Sequence, residues 1–194
     1  MKKLITALFL VLATAVWAGD FEAGAAAAEK GDYKTAFSFF KKGAKQGDSA
    51  AQYNLGRMYH TGEGVLQDYA EAVRWYKLAA AQGVSNAQHN LASMYYDGKG
   101  VVQDYAEAVR LYKLAAKQGD SAAQHNLASM YDDGKGVLQD YLQAHMWMNL
   151  AAVSGKKESQ KARDGIATKM TSQQIGKAQA MAKKCLASKY KDCD

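Results

Sequence analysis

Apolar residues recur at helical spacing in pairs of short segments along most of the chain. In the segment 51–60, Ala51, Leu55 and Met58 fall on one face of a helix. The next segment, 68–83, has its own apolar stripe, formed by Tyr69, Ala72, Val73, Tyr76, Ala79 and Ala80. The loop TGEGV separates them, and its two glycines can adopt positive φ and end the first helix. The pattern predicts two amphipathic helices joined by a glycine loop.

This helix pair recurs with a period of 36 residues. Residues 51–86 and 87–122 are identical at 25 of 36 positions, so the chain contains a tandem array. One helix pair cannot bury both of its apolar stripes alone, whereas stacked pairs can, which predicts an α-solenoid. Gly56 marks a repeat position where only a small residue lets two helices approach closely.

The unit AxxxLGxMYxxGxGVxxDYxxAxxWYxxAAxQG resembles the Sel1-like repeat, a relative of the tetratricopeptide repeat. The resemblance implies an all-α fold, a right-handed α/α solenoid of Sel1-like helix pairs with a C-terminal capping helix pair. We expect ten helices. We assign residues 19–47 to a variant helix pair without the glycine loop. Three full repeats follow at residues 48–83, 84–119 and 120–155, and residues 156–194 form the capping helices.

The first 18 residues have the regions of a secretory signal peptide. Lys2 and Lys3 supply a positive start, residues 4–16 are apolar, and Ala18 is a small residue at the cleavage position. The apolar run of about 13 residues is shorter than the roughly 20 that span a bilayer. We therefore expect cleavage after Ala18 and a periplasmic or secreted protein without a membrane span. A retained N-terminal anchor is the alternative.

Basic residues are concentrated at the C-terminal end. Residues 19–155 contain 13 Lys or Arg and 15 Asp or Glu, whereas residues 156–194 contain 10 and 4. Because these charges are scattered along helical sequence, we interpret them as solvated helix surface. Weak contact with an anionic surface through Lys183 and Lys184 is the alternative. Aromatic residues do not interleave with these lysines as a nucleic-acid stacking surface requires, so we predict no nucleic-acid partner.

Cys185 and Cys193 are the only cysteines. In a continuous helix their Cα atoms would lie about 12 Å apart, beyond disulfide reach, so pairing requires a turn near Tyr190. In an oxidising compartment we expect the disulfide to form. No CxxC spacing or nearby histidine indicates a redox or metal site, and we predict no cofactor and no metal. His145 replaces a valine of the earlier repeats, and we assign it to packing beside the cap.

An enzymatic function is the second hypothesis. A cysteine-rich subgroup of Sel1-like proteins is linked to penicillin binding and β-lactamase activity, and two SxxK pairs occur here, Ser38 with Lys41 and Ser154 with Lys157. No SDN or KTG element accompanies them, and no set of nucleophile, base and oxyanion donors is evident. We therefore predict a non-catalytic protein. A β-lactam or cell-wall-fragment binder or hydrolase, or a host-surface factor, is the alternative.

The resemblance implies that the first helix of each repeat lines the concave side and grips an extended peptide or a partner's helix. Positions spaced i, i+4 and i+7 form what we call the first-helix face: Tyr53, Arg57, His60, His89, Ser93, Tyr96, His125, Ser129 and Asp132. Three neighbouring asparagines either hold a ligand backbone or satisfy helix ends: Asn54, Asn90 and Asn126. Aromatic and Arg side chains are enriched at hot spots, so we predict an exported scaffold or adaptor that binds a protein or peptide through this face.

Overall fold

The computed structural model describes residues 19–193, and the predicted signal peptide at residues 1–18 lies outside them. The described part contains ten helices and no strand, which confirms the predicted all-α class and helix count. The helices are α1 (19–29), α2 (Tyr33–Lys45), α3 (Ser49–Thr61), α4 (Tyr69–Ala81), α5 (Ser85–Asp97), α6 (Tyr105–Ala116), α7 (Ser121–Asp133), α8 (Tyr141–Ala152), α9 (Lys157–Ala167) and α10 (Ser172–Ala187). Within residues 19–193, no helix combines the length and apolar character that crossing a bilayer requires.

Aspartates begin most helices of the repeats. The second helices α4, α6 and α8 have N-cap carboxylates one period apart that accept hydrogen bonds from the first turn, those of Asp68, Asp104 and Asp140. Asp48 and Asp120 cap α3 and α7 in the same way. The two capped first helices end at Gly62 and Gly134, both in the left-handed conformation. Because such an N-cap is worth about 1 kcal/mol, its repetition fixes where the helices start.

Residues 19–84, with helices α1 to α4, form the first of two compact units. Phe40 of α2, Leu55 of α3 and Trp75 of α4 belong to its apolar core. Gly56 of α3 lies against the ring of Tyr76, where a Cβ would come within 2.7 Å of a ring carbon. The prediction that this position needs a small residue is therefore confirmed.

Residues 85–193, with helices α5 to α10, form the second unit. Helix α8 contacts α7, α9 and α10. Its Leu150 is 2% exposed, whereas Leu78 and Leu114, at the same position of the two preceding repeats, are 43% and 40% exposed. Helices α9 and α10 therefore act as a cap over the last repeat, as predicted. The right-handed superhelix stays a prediction.

His145 is buried in α8, which confirms its predicted packing role. Its Nδ1 atom and the Nε1 atom of Trp147 are buried without a hydrogen-bond partner among the described residues. Burial, and secondarily the positive charge of Arg163, lowers the pKa of His145 below its usual value. The neutral imidazole is the form that the folded state favours.

The end of the chain is tied back by the predicted disulfide. Cys185 and Cys193 are bonded, with their Cα atoms 4.6 Å apart, and both side chains are buried. The chain reverses at Lys189 and Tyr190, both of which have positive φ. The turn that the sequence places near Tyr190 is therefore confirmed. A capping box between Thr171 and Gln174 begins α10.

Candidate binding groove in the second unit

Side chains from two successive first helices line one pocket of about 290 Å³. We call it the α5–α7 pocket, and its lining residues are Ser93, Tyr96, Asp97, Tyr112, Asn126, Ser129, Met130 and Asp133. Four of the eight were predicted from the sequence: Ser93, Tyr96 and Ser129 of the first-helix face, and the neighbouring Asn126. Positions one period apart therefore meet at a single site.

Tyr112 of α6 provides the polar centre of this pocket. It is 3% exposed, and its hydroxyl lies 2.9 Å from Ser93 Oγ. Burial raises the pKa of Tyr112 above its usual value, although hydrogen bonds with Ser93 and Asn126 act in the opposite direction. The phenol therefore stays neutral at physiological pH.

The serine hydroxyls of the pocket direct their protons to the helix backbone. Ser93 Oγ donates to the carbonyl oxygen of His89, and Ser129 Oγ donates to that of His125, each over 3.2 Å. Ser93 Oγ is also hydrogen-bonded to the Tyr112 hydroxyl, whereas Ser129 Oγ keeps lone pairs that can accept a hydrogen bond from a ligand.

Two carboxylates lie at the edge of the pocket, those of Asp97 and Asp133. Asp97 pairs with Lys99 over 2.8 Å and Asp133 with Lys135 over 3.2 Å. Lys135 Nζ also donates to the Tyr96 hydroxyl over 3.1 Å and lies 5.5 Å from the centre of that ring. The hydrogen bond with Tyr96, followed by that with Asp133, raises the pKa of Lys135.

Sequence reasoning missed Asp97, Tyr112, Met130 and Asp133. The signal for the two aspartates was available, since they occupy one repeat position where the first full repeat has Thr61. Tyr112 and Met130 belong to apolar stripes, and nothing in a stripe indicates which member reaches a pocket.

A second pocket of about 250 Å³ lies between α7 and α9, and we call it the α7–α9 pocket. It is lined by Ser129, Asp132, Met148, Ala162, Gly165, Ile166 and Lys169. Asp132 accepts a hydrogen bond from Lys169 over 2.7 Å, which raises the pKa of that lysine. Ser129 lines both pockets, so they are neighbours along α7.

His89 and His125 are half-buried and link one first helix to the next. His89 Nδ1 lies 3.4 Å from Asp120, the N-cap of α7, and His125 Nδ1 lies 3.0 Å from Ser159 Oγ in α9. Burial, and then the charge of Lys156, lowers the pKa of His125. Neither histidine lines a pocket described here. Within residues 19–193, no group of three His, Cys, Asp or Glu residues is arranged to hold a metal ion.

The remaining first-helix-face residues belong to α3 in the first unit. Arg57 pairs with Glu63 over 3.7 Å, and the Tyr53 ring lies 5.9 Å from that of Tyr76. The His60 ring packs edge-on against Tyr69, 5.6 Å away.

The other two asparagines differ from Asn126, which lines the α5–α7 pocket. Asn54 donates to the carbonyl oxygen of Ala50, one turn earlier in its own helix, so the structure gives it a local partner. Asn90 is half-buried on α5.

In both SxxK pairs, one member has a partner outside the pair. Ser154 Oγ donates to the carbonyl oxygen of Ala151 over 2.7 Å at the end of α8, and Lys157 begins α9. Ser38 is exposed on α2, where Lys41 Nζ lies over the Phe37 ring.

The two basic residues considered for an anionic surface, Lys183 and Lys184, are exposed on α10. Lys184 pairs with Asp192 over 2.6 Å.

Helix pairs repeated every 36 residues, with pockets between successive first helices, define a helical-repeat protein. The model of the Sel1 repeat matches residues 21–48, 49–84, 85–120 and 121–155, so the chain belongs to the Sel1 repeat family. The predicted resemblance is thereby confirmed, and the first match covers all but two residues of the stretch interpreted as a variant helix pair. Comparison with curated proteins gives no significant match.

Two solved structures of this class are similar to the chain. The c5321 protective antigen of uropathogenic Escherichia coli, which displays an SLR fold, is 32% identical with a TM-score of 0.75. The match covers 88% of this chain but only 41% of the antigen, so this chain spans about two fifths of that protein's length. A Sel1 repeat protein from Oxalobacter formigenes is 36% identical with a TM-score of 0.60, over 65% of this chain and 95% of that protein.

Proposed function

We propose that this chain is an exported, non-catalytic binding protein that holds a segment of a protein partner along α5 and α7. Sel1 repeat proteins typically mediate protein–protein interactions. One observation carries the proposal: Ser93 and Tyr96 from one repeat and Asn126 and Ser129 from the next line a single pocket. A surface built by repetition suits an extended ligand, which meets the same positions on each helix in turn.

The two pockets define a path for the bound segment across the helices. Because Ser129 lines both, a ligand that fills them crosses α7 from the α5 side to the α9 side. Neighbouring packed helices lie about 8–10 Å apart, and an extended chain advances about 3.3 Å per residue. About three partner residues therefore correspond to each step from one first helix to the next.

Export is supported by two independent features. Residues 1–18 have the pattern of a signal peptide, and the Cys185–Cys193 disulfide is of a kind that persists in oxidising compartments. Fractionation of the source cells, with N-terminal sequencing of the protein, tests this part. A periplasmic or secreted protein that begins at Gly19 is expected, and a cytoplasmic protein that retains Met1 would overturn it.

Site-specific photo-crosslinking tests the binding surface. A benzophenone amino acid replaces Tyr96, which is aromatic already and lines the α5–α7 pocket. The matched control carries the same probe at Ala106, an exposed residue on α6 of the same repeat. Both proteins are expressed in the source organism, irradiated and analysed by mass spectrometry.

Capture of one protein from Tyr96 alone, at one segment of its sequence, is the expected result. Equal capture from Ala106 would show that the first-helix face is not selective. Folded, exported protein with no adduct at Tyr96 would overturn the proposal of a protein partner.

A further inference from the structure

We propose that the α5–α7 pocket receives a basic side chain, lysine or arginine, from the bound segment of the partner. This inference rests on the proposed function and adds the chemistry of one contact. It is carried by the charge of the pocket walls, by the hydrogen-bond acceptors among them and by the half-buried ring of Tyr96.

The charged groups that line the pocket are all negative. Asp97 and Asp133 lie at its edge, and no Lys, Arg or His is among the lining residues. The two carboxylates come from one repeat position on successive helices, so they face the same bound segment from both sides. The first full repeat has Thr61 there, which makes the negative charge a property of the second unit.

The neutral groups of the pocket also favour a donor. The Ser129 hydroxyl donates to a backbone carbonyl oxygen, so its oxygen offers lone pairs, whereas the Ser93 hydroxyl is already hydrogen-bonded to Tyr112. Lysine and arginine side chains carry only donors, three and five respectively, and no acceptor. A carboxylate or phosphate ligand would instead meet acceptors and two negative charges.

The protein's own Lys135 shows that the pocket edge accommodates a cation. Its Nζ atom contacts the Tyr96 hydroxyl and Asp133, and lies 5.5 Å from the centre of the Tyr96 ring. A cation at this distance from a ring face is attracted to it. Met130 lines the same pocket and offers a flexible apolar contact for the methylene stem of a long basic side chain.

Lys99 and Lys135 do not close the site. Both are loop residues outside the pocket lining, with 50% and 43% of their side chains exposed. Exposed ion pairs of this type are weak, so a basic group of the partner can replace them. The volume of about 290 Å³ lies at the lower limit for small-molecule pockets, which fits one long side chain.

Selection from a random peptide library tests the inference without knowledge of the natural partner. Phage-displayed dodecapeptides are selected on the wild-type protein, on the double variant Asp97→Asn/Asp133→Asn and on a matched double variant, Asp164→Asn/Asp192→Asn. Both variants lose two negative charges, but Asp164 and Asp192 lie on and after the cap helices, outside the pocket. Thermal melts confirm that all three proteins fold, which is expected because all four side chains are at least 41% exposed.

Peptides from the wild type and from Asp164→Asn/Asp192→Asn should share one position rich in lysine or arginine. That enrichment should disappear with Asp97→Asn/Asp133→Asn. For a single selected peptide, replacing the basic residue with norleucine should weaken binding to the wild type about fivefold, because the contacts with the exposed carboxylates and the Tyr96 ring are lost together. The same replacement should weaken binding to Asp97→Asn/Asp133→Asn less than threefold.

The remaining outcomes separate this inference from the proposed function. Ser129→Trp fills the groove along α5 and α7. If the selected peptides lack a basic position but no longer bind to Ser129→Trp, the basic-side-chain inference is wrong, and the proposal of binding in this groove is retained. If the wild type selects no peptide, both are overturned. If cadaverine alone binds as tightly as the peptide, the pocket binds a free amine, and the inference that it receives a side chain of a bound segment is wrong.

Discussion

Three leucines provide an internal test of how the cap stabilises the last repeat. Leu78, Leu114 and Leu150 occupy the same position in α4, α6 and α8, and each is followed by two alanines. Only Leu150 is buried, at 2% exposure against 43% and 40% for the other two. The difference is tertiary, because α8 contacts both α9 and α10.

The expected costs follow from these exposures. Leu150→Ala removes buried carbon atoms from a packed site and should lower the free energy of unfolding by about 2–5 kcal/mol, including the cavity that remains. Complete burial of a leucine contributes about 1.5–3 kcal/mol, so truncating the partly exposed Leu114 should cost about 1 kcal/mol. For a protein of this size, each kcal/mol lowers the Tm by about 2–4 °C.

Urea denaturation followed by far-ultraviolet circular dichroism measures both variants beside the wild type, with the disulfide intact in all three. Leu114→Ala serves as the control for the change in side chain and helix propensity. Equal destabilisation by the two variants would refute the reasoning, because it would show that α9 and α10 do not exclude water from Leu150.

Three further predictions concern the charge, the covalent link and the backbone. The pKa of His145 is lowered in the folded state, so the unfolded chain binds the proton more readily. The free energy of unfolding of the wild type should therefore fall as the pH drops from about 7 toward 5. Urea denaturation at each pH should show a smaller fall for His145→Val. Reduction of Cys185–Cys193, a link across eight residues, should cost about 2–3 kcal/mol in thermal or urea melts. Gly136→Ala and Gly155→Ala both place a side chain at positive φ, but a Cβ at Gly136 overlaps the backbone of Tyr105 and Ala106 at the start of α6, so calorimetry should show a further loss of about 1–3 kcal/mol there.

Each of these has a matched control. For the histidine prediction, Val73→Ala is the control because it alters no titrating group, so its free energy of unfolding should depend on pH as that of the wild type does. An unchanged pH dependence in His145→Val would contradict the assignment of the effect to His145. Dithiothreitol should destabilise the wild type and leave Cys185→Ala/Cys193→Ala unaffected. Equal costs for the two glycine variants would mean that the close approach at Gly136 is not rigid.

Much of the candidate groove was open to prediction, because helical periodicity places residues on faces. Ser93, Tyr96 and Ser129 were found in this way, since i, i+4 and i+7 positions share one side of a helix. Periodicity does not give the distance between a side chain and the neighbouring helix. His89 and His125 therefore counted as binding residues in the sequence, while the structure has them contact Asp120 and Ser159 of the following helices.

The sequence by itself determined the repeat, the helix pairs, their aspartate caps and the position of the closing disulfide. These features depend on local rules: spacing along a helix, hydrogen bonds within one turn, and a short loop between two cysteines. Only the tertiary structure decided which repeated residues differ in environment, such as Leu114 and Leu150, or which members of an apolar stripe, such as Tyr112, reach a pocket. Equivalent positions share the repeat pattern along the chain but contact different helices, and burial, pKa and pocket shape depend on those contacts.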